Sequence, residues 1–209
     1  MPRAAPATRR RNRQREVVQA AVEVFWRKGY ASASLQEVAD VVGVLKGSLY
    51  HYIASKEDLL EAIVDDVQEQ CDAIVDEVAA LPVGAVERLA IYLERHALWC
   101  LSHRHQATVF VREWQHLTGD RLARVVEARR AFDHRVRALI QDAQAERGIA
   151  APVPVSYASR FALAAVNAAP EWWDDRGPDT REHTAAIYAR LTTAMLLGAV
   201  EPQAEDQRA

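Results

Sequence analysis

The chain has 209 residues and carries 26 Lys+Arg against 29 Asp+Glu, so its net charge of −3 gives no global argument for a nucleic-acid partner. Half of the residues are apolar, with only eight glycines and eight prolines. That balance excludes collagen-like, low-complexity and wholly disordered chains, and it favours a compact helical protein with a sizeable core.

In chain order, residues 1–12 read as a disordered basic arm with Pro2, Pro6 and no apolar periodicity. A first helix follows over 13–28, where Val17, Ala21, Val24 and Phe25 form one stripe and Gly29 supplies the stop. Ser34-Leu-Gln-Glu37 has capping-box spacing and opens a second helix, whose apolar positions are Leu35, Val38, Ala39 and Val42. Gly43 breaks that helix, and a short third segment spans about 45–52. Ser55-Lys-Glu-Asp58 resembles another cap, starting a long helix to about Ala80. Further helices are predicted near 84–102, 105–117, 120–146, 155–173 and 180–198, with Asp179 and Glu182 at capping-box spacing for the last. The tail 201–209 reads as flexible. No useful strand alternation is present, so the fold class is all-α.

The near-neutral total hides a polarity. Residues 1–56 hold 10 basic and 4 acidic side chains, net +6, while residues 57–209 sum to −9. A local basic excess is what phosphate contact requires, although a solubilising charged start accounts for it equally well. Two cysteines, Cys71 and Cys100, cannot form a disulfide framework, and no apolar run is long enough for a membrane span. Glu16, Glu23, Arg27 and Lys28 interrupt any signal-peptide core, so a cytoplasmic location is expected, with no membrane partner.

Two short helices joined by a glycine-containing turn form a helix-turn-helix arrangement. The segment Val44-Leu-Lys-Gly-Ser-Leu-Tyr-His-Tyr52 is too short to hold itself, so Leu49 should point inward, with Lys46, Ser48, Tyr50, His51 and Tyr52 mostly outward. Such a face offers donors to phosphates and base edges and rings to thymine methyls; an ordinary polar helix face would look the same.

Phe25-Trp-Arg-Lys-Gly-Tyr30, Leu35-Gln-Glu-Val-Ala-Asp40, Gly43-Val-Leu-Lys-Gly-Ser-Leu-Tyr-His-Tyr52 and Ser55-Lys-Glu-Asp-Leu59 together resemble, in order and spacing, the amino-terminal domain of the TetR family of transcriptional regulators. The resemblance implies a three-helix DNA-binding head (13–56) and a six-helix ligand-binding and dimerisation body (57–200). It implies DNA contacts at Ser34, Lys46, Gly47, Ser48, Tyr50, His51, Tyr52 and Lys56. Lys56 also sits at a helix N-terminus, a favourable phosphate position. One departure stands out: Leu45 occupies a place where the family usually has a small hydroxyl residue, and leucine can neither cap the helix nor donate to a phosphate.

In the body, Ala158, Ala162, Ala165 and Ala169 make a small-residue stripe, and the last helix offers Ile187, Leu191 and Met195. By the family likeness these residues form the homodimer seam; intramolecular core is the other reading. An isologous pair would set two recognition helices one DNA turn apart and predict a palindromic operator. Trp99, Phe110, Trp114, Phe132, Val166, Asn167 and Trp172 are candidate ligand-lining residues, although large aromatics serve equally as core. The runs Val109–Trp114 and Asn167–Gly177 resemble regulators that sense acyl-coenzyme A thioesters, which makes such a thioester one candidate effector. Arg129, Arg130 and Arg135 are candidate phosphate clamps, with solvated helix faces as the alternative.

His96, His103, His105 and His116 lack any companion metal motif, so no metal is expected. No phosphate-binding loop, dinucleotide fingerprint or nucleophile elbow is present, and neither catalysis nor a cofactor is expected. The sequence therefore predicts a homodimeric, ligand-responsive transcriptional repressor that binds a palindromic DNA operator. The alternative is a helical ligand-binding or enzymatic dimer that does not read DNA, a reading to which Leu45 alone points.

Overall fold

The computed structural model describes residues 6–149 and 153–198, and all regular structure among them is helical. The elements are α1 (Pro6–Lys28), α2 (Leu35–Val42), α3 (Lys46–Leu49), α4 (Lys56–Ala79), α5 (Ala85–Ser102), α6 (Arg104–Glu113), a 3-10 turn (Trp114–His116), α7 (Gly119–Glu146), α8 (Val155–Trp172) and α9 (Arg181–Leu197). The expected tail 201–209 lies outside the described residues, as does Pro2 of the expected arm. No helix among the described residues is long and apolar enough to cross a membrane.

Four boundaries differ from expectation. The first helix starts at Pro6 rather than at 13, so residues 6–12 are helical where an unstructured arm was expected. Proline suits the first helical position, arginine is a good helix former, and Arg13 pairs with Glu16 at 2.5 Å one turn on. Regular helix in α3 covers only Lys46–Leu49; beyond it the chain tightens into turns, with Tyr52 N–H donating to Leu49 O at 2.8 Å. The expected helix 105–117 ends as a 3-10 turn. The cap of α9 is Thr180, whose hydroxyl accepts from His183 N–H at 3.1 Å, and not Asp179.

The chain forms two compact units, with boundaries inside α4, between α5 and α6, and inside α7. The first comprises the described residues up to Gln70 together with His103–Arg129. Its core takes Val17, Ala21, Val24 and Phe25 from α1, Val38 and Ala39 from α2, Leu49 from α3, Leu59, Leu60, Ile63 and Val64 from α4, and Val109, Leu117 and Val125 from the later segment. The helix-turn-helix thus rests on a floor that includes residues distant in sequence.

The second unit comprises Cys71–Ser102 and the described residues from Arg130 onward. Here α5 packs against both α8 and α9. The Glu146 carboxylate accepts from Ala85 N–H and so supplies a cap to α5 that its own sequence lacks. Gln144 is buried and donates to Leu196 O at 3.2 Å. Ser159, fully buried, donates to Asp133 Oδ1 at 2.8 Å.

Candidate functional site

The recognition segment is built by local rules. Ser34 is extended (φ −123°, ψ 153°) and caps α2, and Glu37 returns the bond to Ser34 N–H at 2.9 Å. The Lys28 ammonium and the Ser34 groups hold the Glu37 carboxyl down to about 2. Gly43 adopts φ +74°, left-handed, with nothing near the position a Cβ would take; the requirement is conformational, not steric. The turn then presents α3 with Leu49 at 0% exposure, pinned to the core, while Lys46, Gly47, Tyr50 and His51 are exposed and Ser48 and Tyr52 are half-buried. Leu45 occupies the cap position of α3, and its side chain makes no capping bond.

A polar cluster fixes the start of α4. Ser55 and Asp58 cap it reciprocally, Ser55 Oγ accepting from Asp58 N–H at 3.1 Å and Asp58 Oδ2 accepting from Ser55 N–H at 3.1 Å. Burial opposes ionisation of Asp58, but bonds from Ser55, Arg121 and the Ala54 amide prevail and hold it at about 2. Arg121 also pairs with Glu61 at 3.1 Å, and Glu57 accepts from Thr118 N–H at 2.7 Å. Lys56 lies 4.3 Å from the centre of the Tyr30 ring and donates to Ala31 O at 3.4 Å; burial lowers its pKa. Its ammonium is thus held against an aromatic face and a backbone carbonyl of its own chain. Farther along the same unit, Trp26 stacks on His105 at 3.7 Å, and His105 Nδ1 lies 2.9 Å from Glu23 Oε2.

The second unit holds a buried polar cluster. Tyr92 (0% exposed) stacks beside His96 (3%), with ring centres 5.6 Å apart, and Phe132 lies 6.0 Å from the His96 ring. His96 Nε2 is 3.3 Å from Asn167 Oδ1, and Cys100 Sγ lies 3.6 Å from the same oxygen. An amide oxygen only accepts, so Nε2 carries the proton and Nδ1 is left as an acceptor. Neither that Nδ1 nor the Tyr92 hydroxyl has a hydrogen-bond partner among the described residues. Burial pushes the His96 pKa down to about 4, against a smaller opposing effect of Asn167, and it pushes the Cys100 thiol and Tyr92 phenol up.

Comparison with known families matches two stretches of the chain. The family described as "Bacterial regulatory proteins, tetR family" matches residues 17–63, and "Tetracyclin repressor-like, C-terminal domain" matches 82–196. The chain belongs to the TetR family of transcriptional regulators. Among TetR-family relatives, the transcriptional repressor KstR2 of Mycolicibacterium smegmatis is 24% identical over 200 residues, covering 95% of each chain. The solved structure of the ketosteroid transcriptional regulator KstR2 of Mycobacterium tuberculosis superposes with a TM-score of 0.80 at 20% identity, covering 88% of this chain and 94% of that one. The structure of AibR in complex with isovaleryl coenzyme A and operator DNA gives 0.76 at 24% identity, covering 88% and 98%. At these identities the structural likeness speaks for the fold.

Within this TetR-family chain the body residues singled out in the sequence part company. Asn167 and Phe132 join the His96 cluster, and Val166 is buried beside Asn167 in sequence. Trp99 is half-buried in the second unit. Trp172 is 57% exposed, stacked on Tyr188 and donating to its hydroxyl at 2.9 Å, so it lines no interior; its neighbour Trp173 is the buried one. Phe110 and Trp114 belong to the first unit, where the Arg129 guanidinium lies over both rings at 4.9 and 4.8 Å. Arg135 is paired with Asp72 and Asp76, which removes it as an open phosphate clamp. Ala162 and Ala169 are 0% exposed within their own chain, so a partner helix cannot reach them, whereas Ala158, Ala165 and Ile187 are half-buried and Leu191 and Met195 stand exposed. The accessible apolar face of α8 is offset by one residue and carries Tyr157 and Phe161. The residues missed in the sequence are Tyr92 and Cys100. With His96 they recur at intervals of four, a helical stripe in which one histidine interrupts an apolar run.

Proposed function

We propose that the chain is a homodimeric, effector-responsive transcriptional repressor that binds a palindromic operator. The observation that carries this reading is the recognition segment: Lys46, Gly47, Tyr50 and His51 stand exposed on a four-residue helix and the turn after it, fixed from behind by the buried Leu49. Ser34, Ser48 and Tyr52 flank that face, and Lys56, at the start of α4, is the further phosphate contact of this reading, made when its ammonium leaves the Tyr30 ring. Residues 13–56 read the DNA, and 57–200 carry effector binding and dimerisation. The dimer seam uses α8 and α9, with Phe161, Tyr157, Leu191 and Met195 as its apolar face and Ala158, Ala165 and Ile187 at its margin.

The effector is a small apolar or amphipathic molecule held in the second unit around Phe132, His96 and Asn167, with Trp99 and Val166 contributing bulk. An acyl-coenzyme A thioester is the candidate that the AibR complex supports by analogy. Because α4 runs unbroken from the first unit into the second, it is the element through which effector binding changes the recognition helices. A preference of about 1–3 kcal/mol for the released state is enough to regulate. No catalytic role is assigned, and the protein acts in the cytoplasm.

The test is a selection of bound sequences from random duplexes, followed by titration of variants. An inverted repeat should emerge, and Tyr50→Ala and Lys46→Ala should each weaken its binding by roughly 1–3 kcal/mol without altering the oligomeric state. Unchanged affinity in both variants would remove the assigned reading face.

A further inference from the structure

Of the three helices that follow α1, two begin on a serine capped reciprocally by a carboxylate three residues on: Ser34 with Glu37, and Ser55 with Asp58. The third, α3, begins on Leu45, which makes no capping bond and is 81% exposed, the highest value among the exposed large apolar side chains. Leucine here forgoes the cap that Ser, Thr or Asp would supply, and it obtains no burial in exchange. A position that breaks a local rule twice without return inside the chain directs attention outside it. Its neighbours say what lies there. Lys46 follows it, Tyr50 (53% exposed) stands one turn on, and residues 1–56 carry a net charge of +6. Charge complementarity selects a duplex as the occupant of this surface. Leucine cannot donate to a phosphate or a base edge. The apolar group that a duplex offers in its major groove is the C5-methyl of thymine.

Building on the operator reading above, we propose that Leu45 is a specificity-determining residue that packs on a thymine methyl in each half-site. Leu45 then favours thymine over cytosine at one operator position through shape and burial, while Lys46 and Tyr50 supply the polar and aromatic contacts beside it.

The experiment uses the full-length chain and the duplex recovered by selection, with each thymine replaced in turn by deoxyuridine, which removes only the methyl. At one symmetric position the wild-type protein should lose about three- to fivefold in affinity, the scale of one buried methyl. Leu45→Ser should bind the thymine and uracil duplexes alike at that position. Serine is a good cap, so Leu45→Ser should melt no lower than wild type, and a lost response cannot be laid to unfolding. Tyr50→Ala, run in parallel, should keep the methyl response at the Leu45 position. If Leu45→Ser retains the response and Tyr50→Ala abolishes it, the methyl belongs to Tyr50 and the inference is overturned. A wild-type protein indifferent to every methyl overturns it as well, leaving the operator reading intact. A selection that returns no repeat overturns both.

Discussion

The two compact units make their sites in opposite ways. In the first, the exposed residues of the helix-turn-helix, Lys46, Gly47, Tyr50 and His51, lie within six consecutive positions and are held outward by the buried Leu49. In the second, the polar cluster is assembled from α5, α7 and α8, from residues as far apart as Tyr92 and Asn167. A site of the first kind is fixed by caps and turns, which act over three or four residues. A site of the second kind is fixed by the register in which long helices pack, where a shift of one residue turns a side chain by about 100°. The units differ in electrostatics as well. The carboxyls of Glu37 and Asp58 in the head are held at about 2 by hydrogen bonds, whereas His96 in the second unit is held neutral by burial.

That difference separates the units along the pH axis, and the largest expected effect follows from it. His96 has a pKa of about 4 in the folded chain against an ordinary value of 6.5. The unfolded chain therefore binds one more proton between those values. Stability from His96 is complete above about pH 6.5 and falls, as the pH drops toward 4, with a limiting slope of about 1.4 kcal/mol per pH unit. Asp58 and Glu37, with depressed carboxyl pKa values, lose their contribution only below their ordinary values, between about 4.5 and 2. Urea unfolding at a series of pH values should show the first loss with wild type and not with His96→Gln, whereas both should share the second. Equal slopes for the two proteins between pH 6.5 and 4 would mean that His96 is not the group held neutral.

How much could be read from the sequence follows the same division. The capping boxes at Ser34 and Ser55, the helix-breaking Gly43 and the inward Leu49 were all legible, because each is a short-range rule with one structural solution. Trp172 and Trp173 were not, since two adjacent tryptophans differ only in which side of α8 they leave. The alanine stripe misled for a related reason. Alanine permits close approach whether the neighbouring helix belongs to the same chain or to another, so Ala162 and Ala169 satisfied a seam and a core equally. The distal supports of the head, Arg121 and Thr118, were invisible because no pattern in the sequence links them to Asp58 and Glu57 some sixty residues earlier.

The register of α8 yields the second test. Ala162 is 0% exposed and Phe161 is 47% exposed, although they are consecutive. Ala162→Leu should overpack the body and cost roughly 1–3 kcal/mol in the monomer itself. Phe161→Arg should leave monomer stability within about 0.5 kcal/mol and convert dimer to monomer, since a charge placed in an isologous seam is buried twice, once from each copy. Sedimentation velocity with parallel chemical unfolding separates the two. If Phe161→Arg stays dimeric with wild-type affinity while Ala162→Leu dissociates, the seam lies on the alanine stripe after all.

The smallest effects concern the caps, where the two units can be compared on equal chemistry. In the head, Ser34 both gives and receives a capping bond, and Glu37 completes it. In the body, Thr180 accepts from His183 N–H, while Asp179, which the spacing favoured, instead lies 3.7 Å from His183 Nε2, with both side chains more than half exposed. Ser34→Ala and Thr180→Ala should each cost about 1 kcal/mol, with Ser34 the larger because Glu37 also loses its bond from the serine hydroxyl. Asp179→Ala should change stability by less than about 0.5 kcal/mol, the usual worth of an exposed pair. A cost at Asp179 equal to that at Thr180 would move the cap back by one residue.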